Sequence, residues 1–296
     1  MPYRFVNLRT GAVSGPVSNP AEIGTLMLEF GTLSKLTGDG RYYDAAKRAV
    51  VALFGRRSAI GLVGSTINVE TGAWEDRDSH VSGGIDSYYE YLLKSWLLFR
   101  DPDFGRMWDS SIAAINRYLA DEQPRGLWYG HADMDTGQRT LTHFGALDAF
   151  FAAVLAKSGD TARAGSLMRS TFRMWTTFGI EPEELDYVTM RPVAAGYVLR
   201  PEAIESAYYL YRLTGDARYR EMGRGMVDSL LRYCRAETGF AALKSVVTKE
   251  QRDQMESFFL AETLKYAYLL FAPPAALDFD AVIFNTEAHP IRRTWP

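Results

Sequence analysis

Leu36-Thr37-Gly38-Asp39-Gly40-Arg41-Tyr42 returns almost unchanged as Leu213-Thr214-Gly215-Asp216-Ala217-Arg218-Tyr219. In each copy the glycine suits the left-handed residue that closes one helix, and the aspartate suits the cap that opens the next. Related turns stand at Arg100-Asp101-Pro102-Asp103 and Ser158-Gly159-Asp160. The aspartates at 39, 101, 160 and 216 are 62, 59 and 56 residues apart, and a further 57 reaches Pro273, where another helix should stop. Near-even spacing of this kind favours a repeated helical hairpin over five unrelated turns. Between the turns the apolar residues step by three and four, as at Ile23, Leu26, Met27, Phe30 and Leu33. That is one face of a helix, and it recurs at 88–98, 147–156, 204–213 and 258–270. No alternating strand exceeds a few residues. Ser245-Val246-Val247 and Ala281-Val282-Ile283-Phe284 each suit a short hairpin arm. The expected fold is all-α, with about five hairpins in a single domain over 1–296.

Composition narrows the function. The 296 residues are 47% hydrophobic and 23% charged, which excludes a disordered tail, a fibre or a coiled coil. Lys+Arg number 33 against 36 Asp+Glu, a net charge of -3, and no polybasic run stands out. Nucleic acid and anionic membranes are therefore poor partners. No apolar run approaches the roughly 20 residues of a transmembrane segment. The start, MPYRFVNLRTG, has no apolar core of a secretory signal, and compartment stays unassigned. The lone Cys234 can form neither an intrachain disulfide nor a thiolate cluster and reads as a core residue.

The acids sit at related heights above the closing turns. Glu29 lies 9 residues before Gly38, and Glu205 lies 10 before Gly215. Asp86 and Glu90 precede Asp101 by 15 and 11, and Glu262 precedes Pro273 by 11. Their neighbours, in LMLEF, SYYEYLL and FFLAETLKYAYLL, are apolar and aromatic rather than those of a solvated face. Four stretches carry chemistry. Gly83-Gly84-Ile85-Asp86 leads into Glu90, four residues on and on the same helix face. In Arg200-Pro201-Glu202-Ala203-Ile204-Glu205 the proline suits a first helical turn, and Arg200 suits a carboxylate or sugar hydroxyls. Phe258 stands one turn before Glu262, a ring beside an acid. Asn285-Thr286-Glu287-Ala288-His289 lies near the C-terminus. Each alone is a cap with core aromatics. Together they form a carboxylate-rich, aromatic-lined set suited to glycoside chemistry. His80 borders the glycine turn. His131 and His143 lack metal-ligand spacing and read as structural, and Asp133 with Asp135 reads as a solvated turn.

On these motifs the chain resembles the inverting α-1,2-mannosidases of glycoside hydrolase family 47, including the ER-degradation-enhancing mannosidase-like proteins. The resemblance covers AEIGTLMLEFGTLSKLTGD, GLVGSTINVETGAW, GGIDSYYEYLLK, LRPEAIESAYYLYRLTGD, SFFLAETLKYAYLLF and IFNTEAHP. It implies an α/α toroid of paired helices (seven pairs in the family), a calcium ion and high-mannose oligosaccharide substrates. It implies that Glu202 is the general base and that Asp86 organises cleavage. Glu29, Glu90, Glu205, Glu262 and Glu287 line the pocket, Phe258 packs against mannose, and Thr286 ligates calcium through its hydroxyl and carbonyl. Calcium prefers oxygen ligands, which sugar hydroxyls and waters can complete.

Two departures qualify the resemblance. The family's proposed catalytic acid lies in a segment like E-T-T-I-R-x-L-G-G-L, which these residues lack, so the chain is expected to be a shortened form or a fragment. Gly84 stands where branch-selective members carry arginine, which suggests looser branch selection. The leading expectation is a calcium-dependent hydrolase that removes terminal α-1,2-mannose. The alternative is a mannose-glycan binding protein of weak turnover. A sugar epimerase on a similar helical scaffold fits less well, because such enzymes use histidine pairs and the four histidines here are scattered in sequence.

Overall fold

The computed structural model describes residues 1–295. Its α-helices are α1 (Pro20–Gly24), α2 (Met27–Thr37), α3 (Gly40–Phe54), α4 (Asp86–Phe99), α5 (Pro102–Tyr118), α6 (Phe151–Ser158), α7 (Thr161–Phe178), α8 (Glu202–Thr214), α9 (Ala217–Tyr233) and α10 (Leu264–Phe271). The repeat turns do the work expected of them. Gly38, Arg100, Gly159 and Gly215 close α2, α4, α6 and α8 with φ of 74, 59, 100 and 71°. Asp39, Asp101, Asp160 and Asp216 then cap α3, α5, α7 and α9 by accepting from the N–H of Arg41, Asp103, Arg163 and Arg218. A capping carboxylate satisfies a backbone donor that the helix itself leaves orphaned. The result is four complete hairpins. A fifth is opened by α10, which ends just before Pro273, but no α-helix follows it among the described residues.

The chain falls into two compact units. The first comprises Met1–Ala120, Gly130–Leu141 and Ala281–Pro296 and holds α1 to α5. There α2 packs on α3 and α4 on α5. Asp101 ties the two pairs together by accepting from the Tyr43 hydroxyl at 2.7 Å and from Lys47 Nζ at 2.6 Å. Burial opposes its charge, but Lys47 and Tyr43 outweigh that and hold its carboxyl below the usual range. Gly24 ends α1 against the fully buried ring of Tyr88 on α4, a contact with no room for a side chain.

The second unit comprises Asp121–Tyr129 and Thr142–Asp280 and holds α6 to α10. Helix α8 is flanked by α6, α7, α9 and α10, and from Ala203 to Leu210 it is buried throughout. Ser206 is accommodated in that stretch because its hydroxyl is satisfied. Ser206 Oγ donates to the Ala149 carbonyl at 2.6 Å and accepts from the Ala153 N–H at 3.0 Å. Tyr208, Tyr209 and Phe279 meet edge-on, and the Tyr266 ring packs tilted against Tyr208.

The strands are two to four residues long and serve as hairpins between helices. Val282–Phe284 pairs with Pro290–Arg292, as expected. The other expected arm lies elsewhere: Ala242–Leu243 pairs with Gln251–Arg252, and Ser245 instead shapes the intervening turn, its Oγ accepting from the Val247 N–H. A two-residue strand has no periodicity to read. Cys234 is fully buried after α9, and burial pushes its thiol up to about 12, which leaves it inert. No helix among the described residues is long and apolar enough to cross a membrane.

Candidate active site

The second unit carries the residues around Glu202. Pro201 precedes α8, and Glu202 is the first residue of the helix, where unsatisfied N–H groups favour negative charge. Its Oε2 is buried and carries no hydrogen bond. Burial raises its carboxyl well above the usual range, and the nearby Arg200 pulls it down only in part. Arg200 is held in place by Glu183, with Nε at 3.0 Å and Nη2 at 2.8 Å from Oε2, while Glu183 Oε1 accepts from the Val198 N–H at 3.0 Å. The Phe258 ring lies under the Arg200 guanidinium, 5.5 Å from ring centre to carbon. Leu199 turns the chain into this segment with φ of 68°, a left-handed geometry rare for a branched side chain. Its carbonyl is pinned by the Thr263 hydroxyl at 2.7 Å.

Glu205, one turn into α8, is buried and accepts from the Tyr266 hydroxyl at 3.1 Å. Glu262 is buried in a π-helical turn, Phe259–Thr263, that leads into α10. Such turns displace a side chain from the helical repeat and often mark functional sites. Glu202, Glu205, Glu262, Arg200 and Phe258, singled out from sequence, are thus assembled within one unit. Two acids were missed. Glu183 orients Arg200, and Glu181 is fully buried with neither carboxylate oxygen paired. Their only sequence signal is the string Ile180-Glu181-Pro182-Glu183, where nothing in the spacing distinguishes a buried acid from a loop acid.

The first unit holds the remaining candidates. Asp86 is the first residue of α4, two residues after Gly84, whose φ of 91° suits glycine and where an added Cβ would only touch Asn19 at 3.9 Å. Its Oδ1 accepts from the Ser87 N–H. Glu90 is buried and ion-paired with Lys94, itself buried one turn further along α4. Glu29 Oε1 accepts from the Tyr91 hydroxyl at 2.7 Å and from Asn285 Nδ2 at 2.8 Å. Burial and Glu29 together keep that tyrosine protonated.

Asn285 also builds the turn that carries Thr286 and Glu287, its Oδ1 accepting from the N–H of Glu287 at 3.1 Å and of His289 at 2.7 Å. Thr286 donates its backbone N–H to Tyr91 at 3.4 Å, and its hydroxyl and carbonyl oxygens carry no hydrogen bond among the described residues. Two oxygens of this kind on one residue are the chemistry a hard cation needs.

A different cluster was not foreseen. Asp78, His80 and His131 offer one ligand atom each, all within 4.8 Å of one another. The two rings lie 4.5 Å apart. Histidines scattered in sequence are therefore paired in space. Three of their four ring nitrogens are already committed, however. His80 Nδ1 accepts from the Ser82 N–H at 3.1 Å. Ser65 Oγ donates to the Asp78 carbonyl at 2.6 Å, so it accepts from His80 Nε2 at 3.1 Å. His131 Nδ1 faces Asp78 Oδ2 at 2.5 Å. Burial and the neighbouring His131 push His80 down to about 4, so it is neutral at physiological pH. This is the pattern of a satisfied structural network. His143 pairs with Glu184 across a short sheet at 2.9 Å. Asp133 accepts from the N–H of Asp135 and Thr136, and Asp135 pairs with Arg77, which is the expected turn. A separate groove of about 870 Å³, lined by Leu26, Phe30, Val51 and their neighbours, contains none of the candidate residues.

Comparison with known proteins places the chain in a family of glycosidases. Residues 1–293 match glycosyl hydrolase family 47, and the chain belongs to that family. It is 40% identical over 296 residues to alpha-mannosidase I MNS5 of Arabidopsis thaliana, covering 99% of this chain and 51% of that protein. It is 40% identical over 314 residues to ER degradation-enhancing alpha-mannosidase-like protein 2 of Homo sapiens, covering 98% of this chain and 54% of the relative. The chain thus spans about half the length of these relatives. The solved alpha-1,2-mannosidase from Trichoderma reesei superposes with a TM-score of 0.85 at 28% identity, covering 95% of this chain and 67% of that one. The fold class is the all-α, α/α-toroid class that the family resemblance implied.

Proposed function

We propose that the chain acts in calcium-dependent hydrolysis of terminal α-1,2-linked mannose with inversion, the 296 residues working as one domain. The observation that carries this reading is the buried, unpaired Oε2 of Glu202 at the start of α8, beside an arginine fixed by Glu183. In an inverting glycosidase a carboxylate takes the proton of an attacking water, and the acid stands about 6.5–9.5 Å away to leave room for that water. Glu202 has a free oxygen for that proton, and its raised pKa makes it a stronger base once ionised. Arg200 and the Phe258 ring suit the hydroxyl edge and the apolar face of a pyranose. Glu205 and Glu262 suit further sugar hydroxyls, and Glu29, Glu90 and Glu287 are assigned to sugar binding by the family resemblance. Asp86 is assigned to organising cleavage by the family resemblance. Thr286 would hold the calcium through its two free oxygens. Bound there, calcium would fix sugar hydroxyls by coordination.

A second reading, a mannose-glycan binding protein of weak turnover, is favoured by the lack of an E-T-T-I-R-like acid segment in these 296 residues. Both readings are tested by one variant. Glu202→Gln should abolish release of mannose from an α-1,2-mannobiose while calorimetric binding of the sugar persists. A variant that keeps more than a tenth of the parent rate would remove Glu202 as the base.

A further inference from the structure

Glu181 has no part in the chemistry just described, and nothing about a hydrolase explains why a glutamate is there. It follows α7 in the loop Ile180-Glu181-Pro182-Glu183, is fully buried, and has no hydrogen-bond partner at either carboxylate oxygen. A carboxylate in that condition is far costlier than a carboxylic acid. The groups that face it are Glu183, Arg200 and Glu202. The buried Tyr197 also feels its charge, and that of Cys234. Glu205 and Glu262 stand around Glu202 in turn. Arg200 is the one cation in this set, and Glu183 already holds it through both Nε and Nη2. Three acids therefore face one guanidinium, and only one of them is paired with it.

We propose that Glu181 is a positioning residue that works as the neutral acid, and that its ionisation at rising pH draws the Arg200 guanidinium away from Glu183 and spoils the setting of Glu202. The argument is one of charge balance. Neutral Glu181 leaves the Glu183–Arg200 pair intact and leaves Glu202 as the one acid able to ionise against the spare field of Arg200. Ionised Glu181 adds a second uncompensated charge to the same buried cluster, and Arg200 is the only group there that can move to meet it. Burial, with Glu202 and Glu183 close by, raises its carboxyl well above the usual range, in the same direction. An apolar residue at 181 would supply the same packing without this sensitivity. The glutamate thus sets an alkaline limit on the site.

This inference rests on Glu202 as base for its functional half only, so the test uses readouts with and without turnover. The first is the melting temperature of the parent, Glu181→Gln and Glu181→Leu between pH 5 and pH 9. The parent should lose stability relative to both variants as pH rises, by about 2–4 °C or more across the range. Parallel curves would overturn the proposal. The second readout is the ¹⁵N–¹H signal of Arg200 Nε, which should lose its protection at pH 9 in the parent and keep it in Glu181→Gln. Equal loss in both would overturn the coupling to Arg200. The third is the pH profile of mannobiose turnover, whose alkaline limb should move up by more than one unit in Glu181→Gln. A limb that stays in place would show that Glu181 does not act on the base. Failure of the Glu202 reading would instead appear as turnover surviving in Glu202→Gln, a different variant in a different experiment.

Discussion

Glu202 and Thr286 put the account at risk at the scale of single residues. The base must be ionised to accept a proton, and burial raises Glu202 well above the usual carboxylate range. Turnover should therefore fall on the acid side at a pH clearly above the ordinary value of about 4.3. A kcat/KM profile that stays flat down to pH 4.5 would contradict this. Thr286 offers two oxygens that carry no hydrogen bond among the described residues. Thr286→Val removes one of them at nearly constant volume, so calcium and mannoside affinity should drop together, by tenfold or more, in calorimetry. Unchanged calcium affinity would take Thr286 out of the metal set. Asn285→Ala should mimic the loss more weakly, since Asn285 shapes the turn and holds Glu29.

Caps and close contacts govern the element scale. Asp39 and Asp101 occupy the same repeat position, but their surroundings differ. Asp39 is a surface cap, while Asp101 also receives Tyr43 and Lys47 in a half-buried setting. Asp39→Ala should cost about 1 kcal/mol, the usual value of a lost cap. Asp101→Ala should cost clearly more, because it also strands two partners. Urea unfolding that gives equal losses would refute the bridging role. Gly24 lies 2.6 Å, from an ideal Cβ, to the ring of Tyr88. That ring cannot yield, so Gly24→Ala should cost about 1–3 kcal/mol by overpacking.

The capping turns explain why the hairpins were legible in the sequence. Gly-Asp acts locally, through bonds two or three residues away. The same reasoning failed at Ser245 because a two-residue strand has no period. It also failed at Glu181 and Glu183, whose meaning depends on α8 arriving some twenty residues later. The histidine pair was missed for the same reason, since His80 and His131 meet only through short strands. Glu202 and Arg200 were singled out because their motif is contiguous, and Phe258 because it stands one turn before Glu262.

Over the whole molecule, the titrating groups pull stability in opposite directions with pH. Asp101 and Asp216 have lowered native values, so their contribution is present above about pH 4 and lost as pH falls through the native value. Glu181 and Glu202 have raised native values, so the native state binds more protons than the unfolded chain above about pH 4.3. Their contribution is complete below that point and is lost as pH rises through the native values. Stability should therefore peak on the acid side of neutrality.

Function at this scale turns on the acid-bearing segment that the family resemblance implies, which has no counterpart in these 296 residues. Protonation of the leaving oxygen is typically worth about 10²–10⁴ in rate. Asp86 could supply it only with a proton retained near pH 7. The chain should therefore bind mannosides better than it cleaves them, and a version extended with an acid-bearing helical hairpin should be faster by a factor in that range. Equal rates would place the acid within this sequence.

The most direct test of the central claim follows an α-1,2-mannobiose by proton NMR as it meets this chain with calcium. The account predicts slow release in which β-mannose appears first, stopped both by a chelator and by Glu202→Gln. Release of α-mannose first, or release that survives both treatments, would contradict it.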